Sequence, residues 1–229
     1  MNKRPELYKV ALSIALLFHA SAIIGILFTP YKDWFIKSTW INLLLMASLL
    51  IATHPQKKKK FFLFILIICI AGFGIEVLGI NTAFVFGRYM YGSTLGLQLF
   101  NVPVITCNNW FIIIYCAGMF TQSYENYLLR RLTEKGLAVS TQLRLTSFII
   151  DGVFLTVLFD WIMEPVAVKL GYWHWQDDII PLYNYVSWMF VSAAMLAIFR
   201  KLNGGSHNIF AVHLFIIQLL FFAVLRTFL

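Results

Sequence analysis

Seven apolar runs divide the chain, at about 8–28, 39–53, 61–80, 102–121, 143–164, 182–200 and 208–228. The second is short and can extend back into residues 34–38. None of the runs alternates apolar with polar residues as a half-buried strand would. Hydrocarbon offers an exposed backbone no hydrogen-bond partner, so runs of this length predict helices spanning a bilayer. The pattern predicts an all-α integral membrane protein, about seven transmembrane helices in one bundle, with 1–229 a single polytopic domain and no separate soluble domain. The first run follows Lys3, Arg4 and Lys9, as in a signal peptide. It is too long for a signal core and lacks a small-residue cleavage site, so it is read as a retained helix.

Composition agrees with this reading. Of 229 residues, 60% are hydrophobic and 12% charged, where a soluble domain carries about a quarter charged residues. The formal net charge of +8 would fit a nucleic-acid binder, but the placement of the cations argues otherwise. With the N-terminus in the cytoplasm, 13 of the 18 Lys and Arg residues fall on the cytoplasmic side. These include the lysine run at 57–60, Arg130, Arg131, Arg144 and Arg200. The far side keeps Lys32, Lys37, Arg88, Lys169 and Arg226. This is the positive-inside pattern, so the lysine run is a topology anchor rather than a nucleic-acid site. Cys69, Cys107 and Cys116 form no Cys-x-x-Cys pair and no disulfide framework.

Two far-side segments fit neither a span nor a plain loop. Residues 81–104 are polar and Gly-rich, and residues 165–181 carry Gly171-Tyr172-Trp173-His174-Trp175. They predict either interfacial aromatic belts or re-entrant segments that cap a cavity.

Four acidic residues lie inside predicted spans: Glu76, Asp151, Asp160 and Glu164. Each costs about 2.5–3.5 kcal/mol at a helix centre on insertion scales unless it faces a cavity or partner. Asp160 and Glu164 are four apart and share a helical face, whereas Asp151 falls on the opposite side and predicts a structural hydrogen bond. Two carboxyls on one face in a low dielectric do not both ionise cheaply, which suits one of them to act as a Brønsted acid. A structural ion pair of Glu76 or Glu164 with Arg88 is the alternative. Pro165 predicts that the helix ends or kinks just after Glu164. Asn109, Asn184 and Tyr185 sit near outer helix ends, as interhelical hydrogen bonds or substrate contacts. His19 and His213 are isolated on apolar helices, and no spacing makes a metal site.

Several strings resemble a known family. They run Glu76-Val-Leu-Gly-Ile-Asn81, Phe86-Gly-Arg88-Tyr89-Met-Tyr91, then Val102-Pro103 leading to Asn109-Trp110. They continue with Asp160-Trp-Ile-Met-Glu164-Pro165, the aromatic string at 171–175, Pro181-Leu-Tyr-Asn184-Tyr185 and Trp188. Together, over roughly 65–200, they resemble the membrane carotenoid-biosynthesis proteins, which include carotenoid 1,2-hydratases and bisanhydrobacterioruberin hydratase. The resemblance implies addition of water to the terminal C1–C2 double bond of an acyclic carotenoid. That is a cofactor-independent hydro-lyase reaction, initiated by protonation of C2. On this basis Asp160 or Glu164 is the expected proton donor, and the other, or Glu76, the water-side base. Arg88 and Asn109 would hold carboxylates or water, and Trp110, Trp161, Trp173 and Tyr185 would face a cation. Tyr89, His174 and Asn184 complete the expected substrate contacts. The implied partners are the acyclic carotenoid, water, membrane lipid and neighbouring carotenoid-pathway enzymes, in a bacterial or archaeal plasma membrane, with no nucleic acid and no metal. Competing readings are another end-group enzyme such as a cyclase, or a non-catalytic lipid or carotenoid binder or transporter.

Overall fold

The computed structural model describes residues 4–229, with side chains from Glu6 onward. Lys3 and the side chain of Arg4, counted above among the basic anchors, lie outside the described residues. Eight helices make up the body: α1 (Arg4–Phe28), α2 (Lys32–Lys37), α3 (Thr39–Thr53), α4 (Lys59–Thr82), α5 (Thr106–Glu134), α6 (Thr141–Lys169), α7 (Leu182–Asn203) and α8 (Ile209–Phe228). The chain is thus an all-α membrane protein: α1, α4, α6, α7 and α8 are long and apolar enough to cross a bilayer. Helix α3 is apolar but has only 15 residues, and the short α2 leads into it across a break at Ser38. Ser38 donates both its backbone N–H (3.0 Å) and its hydroxyl (2.7 Å) back to the Trp34 carbonyl, closing the last turn of α2.

Helix α5 is less apolar because it is the hub. It packs on α3, α4, α6, α7 and α8, and Phe111 to Met119 is buried on every side. A helix surrounded by protein can carry Asn109, Gln122 and Glu125 without exposing them to lipid. Aromatic packing fills its flanks, with Tyr115 against Phe61, Phe64, Phe111 and Phe199.

At the end where the basic residues gather, Glu125 of α5 accepts from Arg144 Nε of α6 at 3.0 Å. It also takes a two-pronged pair from Arg200 of α7 at 2.5 and 2.9 Å. This is the geometry a planar guanidinium prefers for a carboxylate. Further back along α5, His54 stacks on Phe61 at 3.7 Å and meets the Tyr115 hydroxyl, which also receives Asn208.

Helix α6 corrects one expectation. It runs unbroken through Pro165 to Lys169. Pro165 lies in the last turn but one, where the missing N–H costs a single bond and the helix continues for one more turn. Asp151 gives a second correction. Its side chain is exposed and makes no hydrogen bond or ion pair among the described residues.

The two aromatic far-side segments find each other. Strand β1 (Tyr89–Tyr91) pairs antiparallel with β4 (Trp173–Trp175), in the register Tyr89 to Trp175, Met90 to His174 and Tyr91 to Trp173. A small hairpin of β2 (Gln98–Leu99) and β3 (Val102–Pro103) follows β1. Gly92 donates its N–H to the Tyr172 carbonyl (2.8 Å), and a Cβ there would fall 2.2 Å from the Gly171 oxygen. Helix α7 holds the preceding stretch through Tyr183 to the Phe84 carbonyl and Ser187 to the Val85 carbonyl. The result is a small β-lid over one end of an α-helical bundle.

Candidate active site

Strand alternation points residues 89 and 91 of β1, and 173 and 175 of β4, to one face of the lid. Two phenols and two indoles therefore aim into the bundle, while Met90 and His174 face out. The inward groups meet two carboxylates. Glu76 on α4 accepts from Tyr89 (2.6 Å) and Tyr91 (2.8 Å) on one oxygen and from the Trp110 indole (2.9 Å) on the other. Glu164 on α6 accepts from Trp173 and Trp175, both at 2.9 Å, on one oxygen. Its other oxygen lies 3.4 Å from Asn184 Nδ2. Burial first, then the charge of Glu76, holds both lid phenols far above their ordinary pKa, so they remain donors.

Asp160, one turn before Glu164, is differently supplied. One oxygen accepts from Asn184 Nδ2 at 3.0 Å. The other is buried with no partner, on a side chain that is 0% exposed. Asn184, at the start of α7, thus bridges the two carboxyls of α6. All three carboxyls line one narrow cavity of about 80 Å³ beneath the lid. Its walls are otherwise largely aromatic, including Phe86, Tyr172, Trp188 and Phe222.

Helix α5 supplies the back of the site. Trp110 stacks on Trp188 at 4.4 Å and 21°, which fixes its indole toward Glu76. Gly72 of α4 makes room for it: a Cβ there would sit 2.6 Å from Trp110 Cβ. The Gly72→Val variant is expected to displace Trp110 and strip Glu76 of its indole donor. Overpacking of this kind costs about 1–3 kcal/mol. A lower melting temperature, together with a red-shifted tryptophan emission, would report it; unchanged emission would mean the ring tolerates the intrusion.

A family model for carotenoid biosynthesis proteins matches residues 37–228, which takes in every residue of the site just described. The chain belongs to that family. Bisanhydrobacterioruberin hydratase of Haloarcula japonica is similar at 25% identity over 180 residues, covering 75% of this chain and 54% of that protein. The chain therefore spans about half the length of the curated relative it matches. No solved structure matches the chain significantly.

Within this family member the expected site residues sort by geometry. Glu76, Asp160 and Glu164 come together, joined by Tyr89, Asn109, Trp173 and Asn184 on the cavity wall. Trp110 stands behind Glu76 rather than on the wall. Four others lie elsewhere. Arg88 is exposed, pairs with no carboxylate among the described residues, and receives the Gln176 N–H on its carbonyl. His174 is exposed on the outer face of the lid. Trp161 is 49% exposed, beneath Arg226, which lies 4.0 Å from its ring centroid and bonds its carbonyl. Tyr185 is half-buried off the cavity wall. Sequence reasoning did not assign roles to Tyr91, Trp175 or Trp188. Tyr91 and Trp175 could have been found from their two-residue spacing from Tyr89 and Trp173, the period of a strand face. Among the described residues no group of three His, Cys, Asp or Glu side chains is arranged to hold a metal ion.

Proposed function

We propose that this protein is a carotenoid 1,2-hydratase, adding water by acid catalysis to the terminal C1–C2 double bond of an acyclic carotenoid. The observation that carries the reading is the unequal supply of hydrogen bonds to the three carboxyls. Glu76 and Glu164 each have three donors within reach, which favour a carboxylate. Asp160 has one donor and one bare, buried oxygen, so the neutral acid is the form its surroundings accept.

The reaction follows from that assignment. The end of the polyene enters the aromatic cavity and Asp160 delivers its proton to C2, leaving a tertiary cation at C1. Glu164 and Glu76 face that charge, and aromatic walls contribute about 0.5–2 kcal/mol each. Water then attacks C1, and Glu164 takes its extra proton. Glu164 and Asp160 lie one helical turn apart on a shared face, so the proton can return to Asp160. The sum is one water added and both carboxyls restored, with no electron transferred. The similarity to bisanhydrobacterioruberin hydratase of Haloarcula japonica supports the reading. The pattern of basic residues supports a plasma-membrane setting with the N-terminus in the cytoplasm, and the unbroken helical packing supports a single domain.

The test is mass analysis of pigments from a lycopene-producing bacterium that expresses this chain. A product heavier by one water per modified end is the expected result. An isomer of unchanged mass with a shorter chromophore would replace hydration by cyclisation. Unaltered lycopene held by the purified protein would replace catalysis by binding.

A further inference from the structure

Beside the carboxylate cavity lies a larger one of about 450 Å³, enclosed by α1, α2, α3 and α8. Thr39, Leu43, Asn109, Tyr172 and Phe222 line both, so the two spaces share a wall. Leu17, Phe18, Trp34 and Ile41 stand at the outer side of the larger space and are also exposed on the helix surface that faces lipid. A molecule dissolved in the bilayer could therefore enter sideways, between α1 and α3.

The chamber is mostly apolar, and among the polar side chains that line it His19, Asn42 and Gln218 carry unpartnered acceptors. Gln218 of α8 is 6% exposed and its side-chain oxygen has no partner. The side-chain oxygen of Asn42 on α3 has none either. His19 of α1 meets the Ala15 carbonyl through Nδ1 at 2.8 Å. A carbonyl can only accept, so Nδ1 carries the proton and, in the neutral ring, Nε2 is left as an acceptor. Each brings an acceptor without a partner among the described residues, and the two amides bring N–H donors as well, to a space otherwise lined mainly by hydrocarbon. Buried acceptors of this kind require a donor from somewhere.

We propose that this chamber seats the polyene arm adjoining the reacting end, and that His19, Asn42 and Gln218 accept a hydrogen bond from a hydroxyl held there. That hydroxyl is either carried by the arm or belongs to a bound water. The proposal rests on the reading of the protein as a carotenoid enzyme. A cavity of about 80 Å³ takes only the end of a long polyene, so the rest of the molecule must lie in an adjoining space. The larger chamber shares a wall with the carboxylates and opens toward the phase in which the substrate dissolves.

The experiment measures polyene retained per mole of full-length protein after purification from pigmented membranes, by its visible absorption. Asp160→Asn is included so that binding is read apart from turnover. Wild type and Asp160→Asn are expected to retain polyene. Ala22→Phe and Ser21→Phe, which fill the chamber from α1, are expected to lose it by about tenfold or more while eluting as a single folded species. Retention by both filled variants at the wild-type level would overturn the arm site. Loss in the filled variants alongside retention in Asp160→Asn would uphold it even if no hydrated product ever formed. An absence of polyene from wild type would overturn both the arm site and the carotenoid reading. The polar contact is tested with Gln218→Leu, comparing polyenes with and without a hydroxyl. A roughly tenfold loss confined to the hydroxylated polyene assigns the donor to the ligand, and equal loss for both assigns it to water. No loss for either removes the hydroxyl from the proposal.

Discussion

The Asp160→Asn variant is expected to lose turnover by about 10²–10⁴-fold, the usual contribution of a general acid, while remaining folded in the membrane. Asparagine keeps the shape of the side chain, and its oxygen can still accept from Asn184 Nδ2, now 3.0 Å from Asp160. What it lacks is a proton to give. The expected effect is therefore on the chemical step, with polyene binding unaltered. Glu164→Gln should also fail, but for a different reason. Its two oxygens receive Trp173, Trp175 and Asn184, and an amide nitrogen on either side would meet an N–H instead of accepting one. That variant is expected to loosen the lid as well as remove the base, so both its melting temperature and its turnover should fall. Turnover assays with purified protein and a melting curve for each variant separate the two. An active Asp160→Asn beside a folded, inactive Glu164→Gln would exchange their roles.

The largest expected loss of stability lies at the opposite end of the bundle. Glu125 has only 9% of its side chain exposed and faces the guanidinium of Arg200, itself 21% exposed, with Arg144 alongside. Replacing Glu125 by leucine would leave Arg200 half in the bundle without a counter-charge. Breaking a buried pair costs about 3–5 kcal/mol, and the exposure of Arg144 moves this case toward the lower figure. The melting temperature in detergent should fall on the order of 5–10 °C. The Glu125→Leu/Arg200→Leu double variant should recover much of that, because the stranded charge rather than the lost attraction carries the cost. Glu125 lies 16 residues along α5 from Asn109, roughly 24 Å, so turnover by the folded fraction should stay near wild type. A melting temperature within about a degree of wild type would mean that water reaches Arg200 and the pair is screened.

The helical bundle was legible because lipid leaves the backbone few alternatives. The three clustered carboxyls were legible for a related reason: a charge is expensive inside a span, and a spacing of four puts Asp160 and Glu164 on one face. Asp151 was expected to have a partner for the same reason, but it lies exposed on the outer surface of α6. Trp161, next to Asp160 in sequence, is turned about 100° from it, and helix geometry alone could have excluded it from the cavity. The lid was not legible as a structure. Its aromatics have the composition of an interfacial belt, and pairing between β1 and β4 spans more than 80 residues of chain, beyond the reach of local pattern. Once that pairing is seen, period-two alternation separates Tyr91 and Trp175, which face in, from His174, which faces out. Pro165 does not end α6, because a proline so near the end of a helix removes only one backbone hydrogen bond.

In the proposed reaction the carboxylate chamber adds a proton and a hydroxide, both from water, across a terminal carbon–carbon double bond. The most direct test is to let the purified protein act on an acyclic carotenoid in water labelled with heavy oxygen and, separately, in deuterated water, and then to weigh the product. One heavy oxygen at each modified end is expected in the first case, and one non-exchanging deuterium on the neighbouring carbon in the second. A product whose added oxygen is unlabelled, or a modified end with no added oxygen, would contradict it.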